Sequence, residues 1–146
     1  QEAVLTAVST AIGLHQSMNP NPLDPDTEQA VRRFLALIAD RWDVAGAIVY
    51  GSRARGTHRP DSDADLAVLL RGKPQRALPT ALAMVDVAVD VELETGIYVS
   101  PLPVWLDEWE HPESYSNPEL LRNIAREGVK MDDWPATARP GSSTDA

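Results

Sequence analysis

Residues 49–70 constrain this chain most, because two apolar segments there are joined by a glycine-serine turn and a basic loop. Asp63 and Asp65 stand two residues apart at the start of the second apolar segment, which is predicted to be a β-strand. Residues i and i+2 of a strand point to the same side, so both carboxylates should face one point in space. The two carboxylates repel each other unless a cation lies between them, and oxygen ligands suit hard ions such as Mg²⁺ or Mn²⁺.

The turn before the loop has the properties of a phosphate-binding site. Gly51 and Ser52 end the first apolar segment, where a glycine lets a phosphate approach the backbone and the free N–H groups of a turn bind an anion. Arg53 and Arg55 follow in the one concentrated basic stretch of the chain, and at least one arginine there is expected to contact phosphate. A phosphate-binding turn beside a metal-binding carboxylate pair is typical of phosphoryl or nucleotidyl transfer.

The same stretch resembles the signature of the DNA polymerase β-like nucleotidyltransferase superfamily. That signature is Gly-Ser, a spacer (here residues 53–62) and Asp-x-Asp in a strand. The run Gly-Ser-Arg-Ala-Arg-Gly is similar to the minimal nucleotidyltransferases, small prokaryotic proteins that are often antitoxin partners of all-helical HEPN toxins. The motif covers residues 51–65, and the order of predicted elements extends the resemblance over most of residues 25–131.

The resemblance implies an α/β nucleotidyltransferase fold, with a small mixed sheet of three to five strands and helices packed mainly on one face. It implies that Ser52 and the backbone around Gly51 hold the β- and γ-phosphates of a nucleoside triphosphate. Asp63 and Asp65 would bind the metal ions and carry catalysis, and Arg53 or Arg55 would add charge stabilisation. The implied reaction is metal-dependent transfer of a nucleoside monophosphate, expected to be AMP, to a hydroxyl of a small molecule or a partner protein.

One departure from the family pattern bears on catalysis. The family carries a third carboxylate on the strand after the crossover helix, whereas residues 97–104 contain no aspartate or glutamate, and Ser100 stands at the expected position. Glu92 or Glu94, at the end of the preceding helix, is an alternative source of that carboxylate. Otherwise a single metal suffices, or the protein binds nucleotide and transfers slowly or not at all.

Three classes of function therefore remain open at the level of sequence. The first is a nucleotidyltransferase, and the second is a catalytically weak or inactive antitoxin that neutralises a HEPN-type toxin by binding it. The third is a nucleotide-binding module with a structural or regulatory role. A chain of 146 residues leaves little room for an acceptor-binding domain, so a HEPN-type helical partner or a homodimer is expected to complete the acceptor site.

Charge and composition exclude other classes. The chain has 13 basic and 22 acidic residues and a net charge of −9, which opposes generic nucleic-acid binding through phosphate neutralisation. It has no cysteine, so neither disulfides nor a thiolate metal site are possible, and a cytoplasmic location is expected. No apolar run reaches membrane-spanning length and the N-terminus does not resemble a signal peptide, so no membrane partner is expected.

Apolar spacing predicts the order of elements. Residues 1–18 are predicted to form an accessory helix, 25–131 the nucleotidyltransferase domain and 132–146 a flexible tail. Within the domain we expect helices at 26–41, 77–94 and 118–127 and strands at 44–50, 63–70 and 96–104. The second helix is predicted from the 3–4-residue repeat of its apolar side chains, namely Leu78, Leu82, Val85, Val89 and Leu93. Pro101 and Pro103 place the second half of the last strand at a sheet edge or outside the sheet.

Overall fold

A computed structural model describes residues 23–131, so the predicted accessory helix within 1–18 and the tail at 132–146 lie outside the described residues. In order, the elements are α1 Pro25–Ile38, β1 Val44–Tyr50, α2 Ser52–Arg55, β2 Ala64–Leu70, α3 Ala77–Thr95, β3 Val99–Trp105, α4 Leu106–Glu110, a 3₁₀ turn Pro112–Ser114, α5 Pro118–Glu127 and β4 Val129–Lys130. None of the helices in this part of the chain is both long and apolar enough to cross a membrane.

The strands form one mixed sheet in the order β3-β2-β1-β4. β1 runs antiparallel to β2 and to β4, whereas β3 runs parallel to β2 after the α3 crossover. In this register Asp65 lies between Tyr50 of β1 and Ser100 of β3. The predicted α/β class with a small mixed sheet is confirmed.

The central strand β2 separates two apolar clusters. Leu66 and Val68 pack in the larger cluster with α1 and α3, including Phe34 and Met84. Ala67 and Leu69 face the other way and pack in a smaller cluster with α5, around Ile124. This two-sided burial explains why β2 reads as an unbroken apolar run. The two longest helices share one face, as expected, and α5 covers part of the other.

Two features at the sheet edges differ in how far the sequence predicted them. β3 is an edge strand, and its pairing with β2 includes Pro101 and Pro103 and continues to Trp105 at its end. Because these prolines have the same parity, both missing N–H groups fall on the outer side, where no ladder bond is required. The sequence pattern does not predict the two-residue strand β4 on the opposite edge, since a segment that short has no periodicity to detect.

The helix ends follow local capping chemistry. Asp24 caps α1 by accepting a hydrogen bond from the Thr27 N–H, and Asn117 caps α5 by accepting one from the Leu120 N–H. Gly96 ends α3 in the left-handed region with φ +86°.

The helix α3 is apolar on two opposite sides. Its buried side is formed by Met84, Val87, Ala88 and Val91. The periodic residues that predicted the helix instead point outward, and Leu78, Leu82 and Leu93 are 61%, 59% and 82% exposed. The repeat therefore predicted the helix correctly but did not identify the side that packs on the sheet.

Two alanine substitutions in α3 test which side is buried. Met84→Ala should destabilise the fold by about 2–5 kcal/mol, because the Met84 side chain is fully buried and its truncation leaves a cavity. Leu93→Ala should change the free energy of unfolding by less than about 0.5 kcal/mol, because this side chain is exposed. Urea unfolding measures both, and equal losses would contradict the assignment of the faces.

Candidate active site

The site begins with close packing between the turn after β1 and the first carboxylate of β2. Gly51 has φ +77°, a conformation that residues with a Cβ rarely adopt. A Cβ built there would collide with the carboxylate of Asp65. The side chain of Asp65 therefore lies directly against the Gly51 backbone, and the two halves of the sequence motif meet in space.

The strand register determines on which face of the sheet the site opens. Asp65 has the same parity along β2 as Ala67 and Leu69, which pack on the α5 side. Its neighbours across the sheet are Tyr50 and Ser100. The site thus opens on the face that α5 partly covers, and α1 and α3 stabilise the sheet from behind.

The charges of the predicted site residues interact. Burial raises the pKa of Asp65, the negative charge of Asp63 raises it further, and the guanidinium of Arg55 opposes both effects. The two carboxylates are therefore close enough for the negative charge of Asp63 to disfavour ionisation of Asp65. A bound cation would relieve this repulsion, as expected for a metal-binding pair.

Tyr50 belongs to the same group, although no sequence pattern singled it out. Burial, and then the nearby Asp65 and Tyr115, raise the pKa of Tyr50 to about 12. Its hydroxyl is therefore neutral at physiological pH and can donate a hydrogen bond beside the carboxylates. The pairing of β1 with β2 places this residue opposite Asp65.

The two arginines of the motif have different environments. Arg53 is only 4% exposed, and its guanidinium donates to the Thr27 hydroxyl at 2.8 Å. It also donates to the backbone carbonyl oxygens of Ser62 and Pro60, each at 3.0 Å. Arg53 thus holds the loop between α2 and β2 against the start of α1. These contacts do not support the prediction that Arg53 binds phosphate.

Arg55 is placed differently. Its side chain is about half exposed, and its contact with Glu127 of α5 is a long 3.9 Å. Its charge acts on Asp65, as described above. Of the two arginines, Arg55 is therefore the one whose guanidinium is accessible beside the carboxylates.

Among the described residues, no third carboxylate completes a metal-binding group with the pair. Ser100 occupies the β3 position in register with Asp65. Glu94 forms an ion pair with Arg33 at 3.0 Å. Glu92 is exposed, and its charge, like that of Asp63, adds to the effect of burial in raising the pKa of Tyr98. Among residues 23–131, no group of three or more acidic or histidine side chains could hold a metal.

An open cavity adjoins the turn on the α5 side of the sheet. Its volume is about 330 Å³. Its lining combines the end of β1 and α2 with one face of α5, and comprises Tyr50, Gly51, Arg55, Leu120, Asn123, Ile124, Arg126 and Glu127. The contribution of α5 could not be read from the sequence, because its lining residues lie 55 to 62 positions after the end of the motif at residue 65.

Comparison with known protein families identifies the family of this chain. The family model of the nucleotidyltransferase domain matches residues 31–130. The chain belongs to the nucleotidyltransferase domain family. This confirms the resemblance to the polymerase β-like superfamily, whose shared activity is nucleotidyl transfer. A search of curated proteins found no match.

A solved structure is also similar, although too weakly to carry an argument. It is a protein from Sulfolobus solfataricus assigned to the nucleotidyltransferases. The two chains are 18% identical with a TM-score of 0.43, over 57% of this chain and 70% of the other. The family assignment therefore depends on the domain match.

The donor set at this nucleotidyltransferase site fits Mg²⁺ held together with a substrate. Magnesium in phosphoryl-transfer sites is typically bound by one or two carboxylates together with substrate phosphates, so a dedicated protein cage is not required. Asp63 and Asp65 provide that number of carboxylates, and the negative charge that Asp63 places on the partly buried Asp65 favours a cation there.

A pair of glycine substitutions tests the contact between the turn and Asp65. Gly51→Ala and Gly56→Ala share nearly the same backbone strain, with φ +77° and +76°, but a Cβ at Gly56 meets nothing within 4 Å. Gly56→Ala should cost about 1–2 kcal/mol from strain alone. Gly51→Ala should cost more and should also abolish Mg-ATP binding, because its Cβ displaces the Asp65 carboxylate. Calorimetric titration and urea unfolding measure the two effects, and equal behaviour would refute the contact.

The two arginines should separate stability from binding. Arg53→Ala should destabilise the fold by about 2–4 kcal/mol, because it removes the donor from the buried Thr27 hydroxyl and from two loop carbonyls. Arg55→Ala should change stability by less than about 0.5 kcal/mol and weaken Mg-ATP binding. Thermal unfolding and titration with Mg-ATP provide the readouts. The reverse pattern would show that Arg53 is the phosphate ligand.

Proposed function

We propose that this protein is a metal-dependent nucleotidyltransferase of the minimal type, which transfers AMP from ATP to a hydroxyl of a small molecule or a partner protein. One observation carries the proposal: the Asp65 carboxylate packs against the Gly51 turn, within the electrostatic range of Asp63 and Arg55. A turn able to hold phosphates and a pair of carboxylates are thereby placed side by side.

In the proposed reaction the acceptor oxygen forms a bond to the α-phosphorus, and the bond from that phosphorus to the β-phosphate bridging oxygen breaks. Pyrophosphate leaves, and the acceptor hydroxyl loses its proton to a base. Asp63 and Asp65 would hold Mg²⁺ or Mn²⁺, which when bound supplies neutralisation of phosphate charge.

The remaining groups have positioning roles in this proposal. The N–H groups of Ala54 and Arg55 donate to the Gly51 carbonyl oxygen, which leaves those of Ser52 and Arg53, with the Ser52 hydroxyl, to bind the β- and γ-phosphates. Arg55 adds a positive charge on the same side. Tyr50, whose raised pKa keeps it neutral, can donate a hydrogen bond within the site.

Activation of the acceptor is the part that this chain supplies least well. The β3 position in register with Asp65 is Ser100, whose hydroxyl is not a base at neutral pH. We therefore propose that the acceptor, or the partner that presents it, contributes the missing basic group. On this view transfer is fast only to an acceptor that brings this basic group with it.

A second candidate function is binding without catalysis, as an antitoxin-like partner of a HEPN-type helical protein. It is favoured by the incomplete carboxylate set and by the outward apolar side of α3, where Leu82 and Leu93 are exposed. A net charge of −9 complements a basic RNase-like partner. A homodimer remains an alternative source of the missing surface.

Transfer of labelled AMP tests the first proposal. With ATP labelled at the α-phosphorus and Mg²⁺ or Mn²⁺, label should appear on the acceptor or partner protein. Asp65→Ala should reduce the rate by more than about 100-fold, since even groups that only support a metal ligand cost roughly 10–100-fold when removed. Asp61→Ala is the matched control, because Asp61 is an exposed loop carboxylate for which no contact with the pair is seen.

The outcome also separates the two candidates. Label that depends on Asp65 but not on Asp61 supports nucleotidyl transfer. If no nucleoside triphosphate yields label with either metal, while the protein forms a stable complex with a HEPN-type protein, the binding function replaces it.

A further inference from the structure

The cavity between the turn and α5 has an unusual distribution of charge. Arg55 and Arg126 stand on its rim from two separate elements, α2 and α5, together with the single acidic residue Glu127. The guanidinium of Arg126 donates to the side-chain oxygen of Asn123, which also lines the cavity. Two cations therefore converge on one opening, although the chain as a whole carries a net charge of −9.

The cavity is continuous with the proposed phosphate site. Gly51, which contacts the Asp65 carboxylate, also lines the cavity, as does Arg55, whose charge acts on Asp65. A triphosphate whose α-phosphate lies at the carboxylates can thus extend past the turn toward α5. The cavity volume of about 330 Å³ is ample for two phosphate groups with their water.

We infer that Arg126 of α5 binds the terminal phosphates of the nucleotide, so that this cavity is the site from which pyrophosphate leaves. The inference rests on the proposed function for the identity of the ligand. Arg55 and Arg126 bind the polyphosphate from two different helices, and Asn123 orients the Arg126 guanidinium. Glu127, on the same rim, repels the phosphates and weakens their retention after transfer.

Two arginines of the same helix form a matched pair for the test. Arg122 is exposed, pairs with Glu119 at 3.2 Å and does not line the cavity. Arg126→Ala should weaken binding of Mg-tripolyphosphate at least about tenfold, because it removes a charge-assisted contact. Arg122→Ala should leave the affinity within about twofold, since an exposed charge outside the cavity is screened by salt. Both variants should fold normally, because both side chains are exposed.

Substitution of the acidic rim residue should act in the opposite direction. Glu127→Gln keeps the shape of the side chain and removes its charge, so it should tighten Mg-tripolyphosphate binding by a few-fold. A general loss of structure cannot produce opposite shifts at neighbouring positions. Calorimetric titration with Mg-tripolyphosphate, and separately with adenosine, provides the readout.

The possible results decide the inference separately from the proposed function. Selective weakening by Arg126→Ala, with tighter binding by Glu127→Gln and unchanged adenosine binding, supports it even if no label is ever transferred. Equal effects of Arg126→Ala and Arg122→Ala, no effect of either, or no binding of tripolyphosphate by the unaltered protein would overturn it. An effect of Arg126→Ala on adenosine instead would assign the cavity to the nucleoside and also overturn it. Failure of the proposed function shows itself differently, as an absence of labelled acceptor.

Discussion

The structure depends on a carboxylate packed against a peptide backbone. Asp65 stands at the entrance to β2, a strand that is buried on both faces, and its side chain occupies the space where a Cβ of residue 51 would be. Only glycine satisfies both the left-handed φ and this close approach. The turn at Gly51 and the carboxylate of Asp65 are thus held against each other by the sheet.

The two faces of the sheet have different roles. The face covered by α1 and α3 contains the larger of the two apolar clusters. The other face is only partly covered by α5, which leaves the end of β2 open to ligands. Arg53 connects these roles, because its buried guanidinium bonds both Thr27 of α1 and the loop that leads to Asp63.

Within residues 23–131 no third carboxylate joins Asp63 and Asp65 in a metal-binding group. Metal and phosphate binding need only the pair and the turn, whereas deprotonation of the acceptor needs a further base. With Ser100 in register with Asp65, a base supplied with the acceptor would link catalysis to recognition of the correct partner. The same deficit fits a protein that mainly binds, and the exposed apolar side of α3 offers it a surface.

The sequence alone determined the local features. Strand parity predicted that Asp63 and Asp65 lie together, capping residues such as Asn117 marked helix ends, and the turn with its Asp-x-Asp indicated the family. These are properties of a few neighbouring residues, and neighbours in sequence constrain each other directly.

Only the tertiary structure decided which residues meet across the fold. The spacing of Leu78 to Leu93 predicted a helix, but contact with the sheet assigned burial to Met84 and its neighbours, because an apolar repeat does not say which surface it will meet. Arg53 and Arg55 look alike in sequence, and only packing against Thr27 gave one a structural role. Likewise Tyr50 and Arg126 reach the site through strand pairing and the return of α5, which are contacts between distant positions that no local pattern encodes.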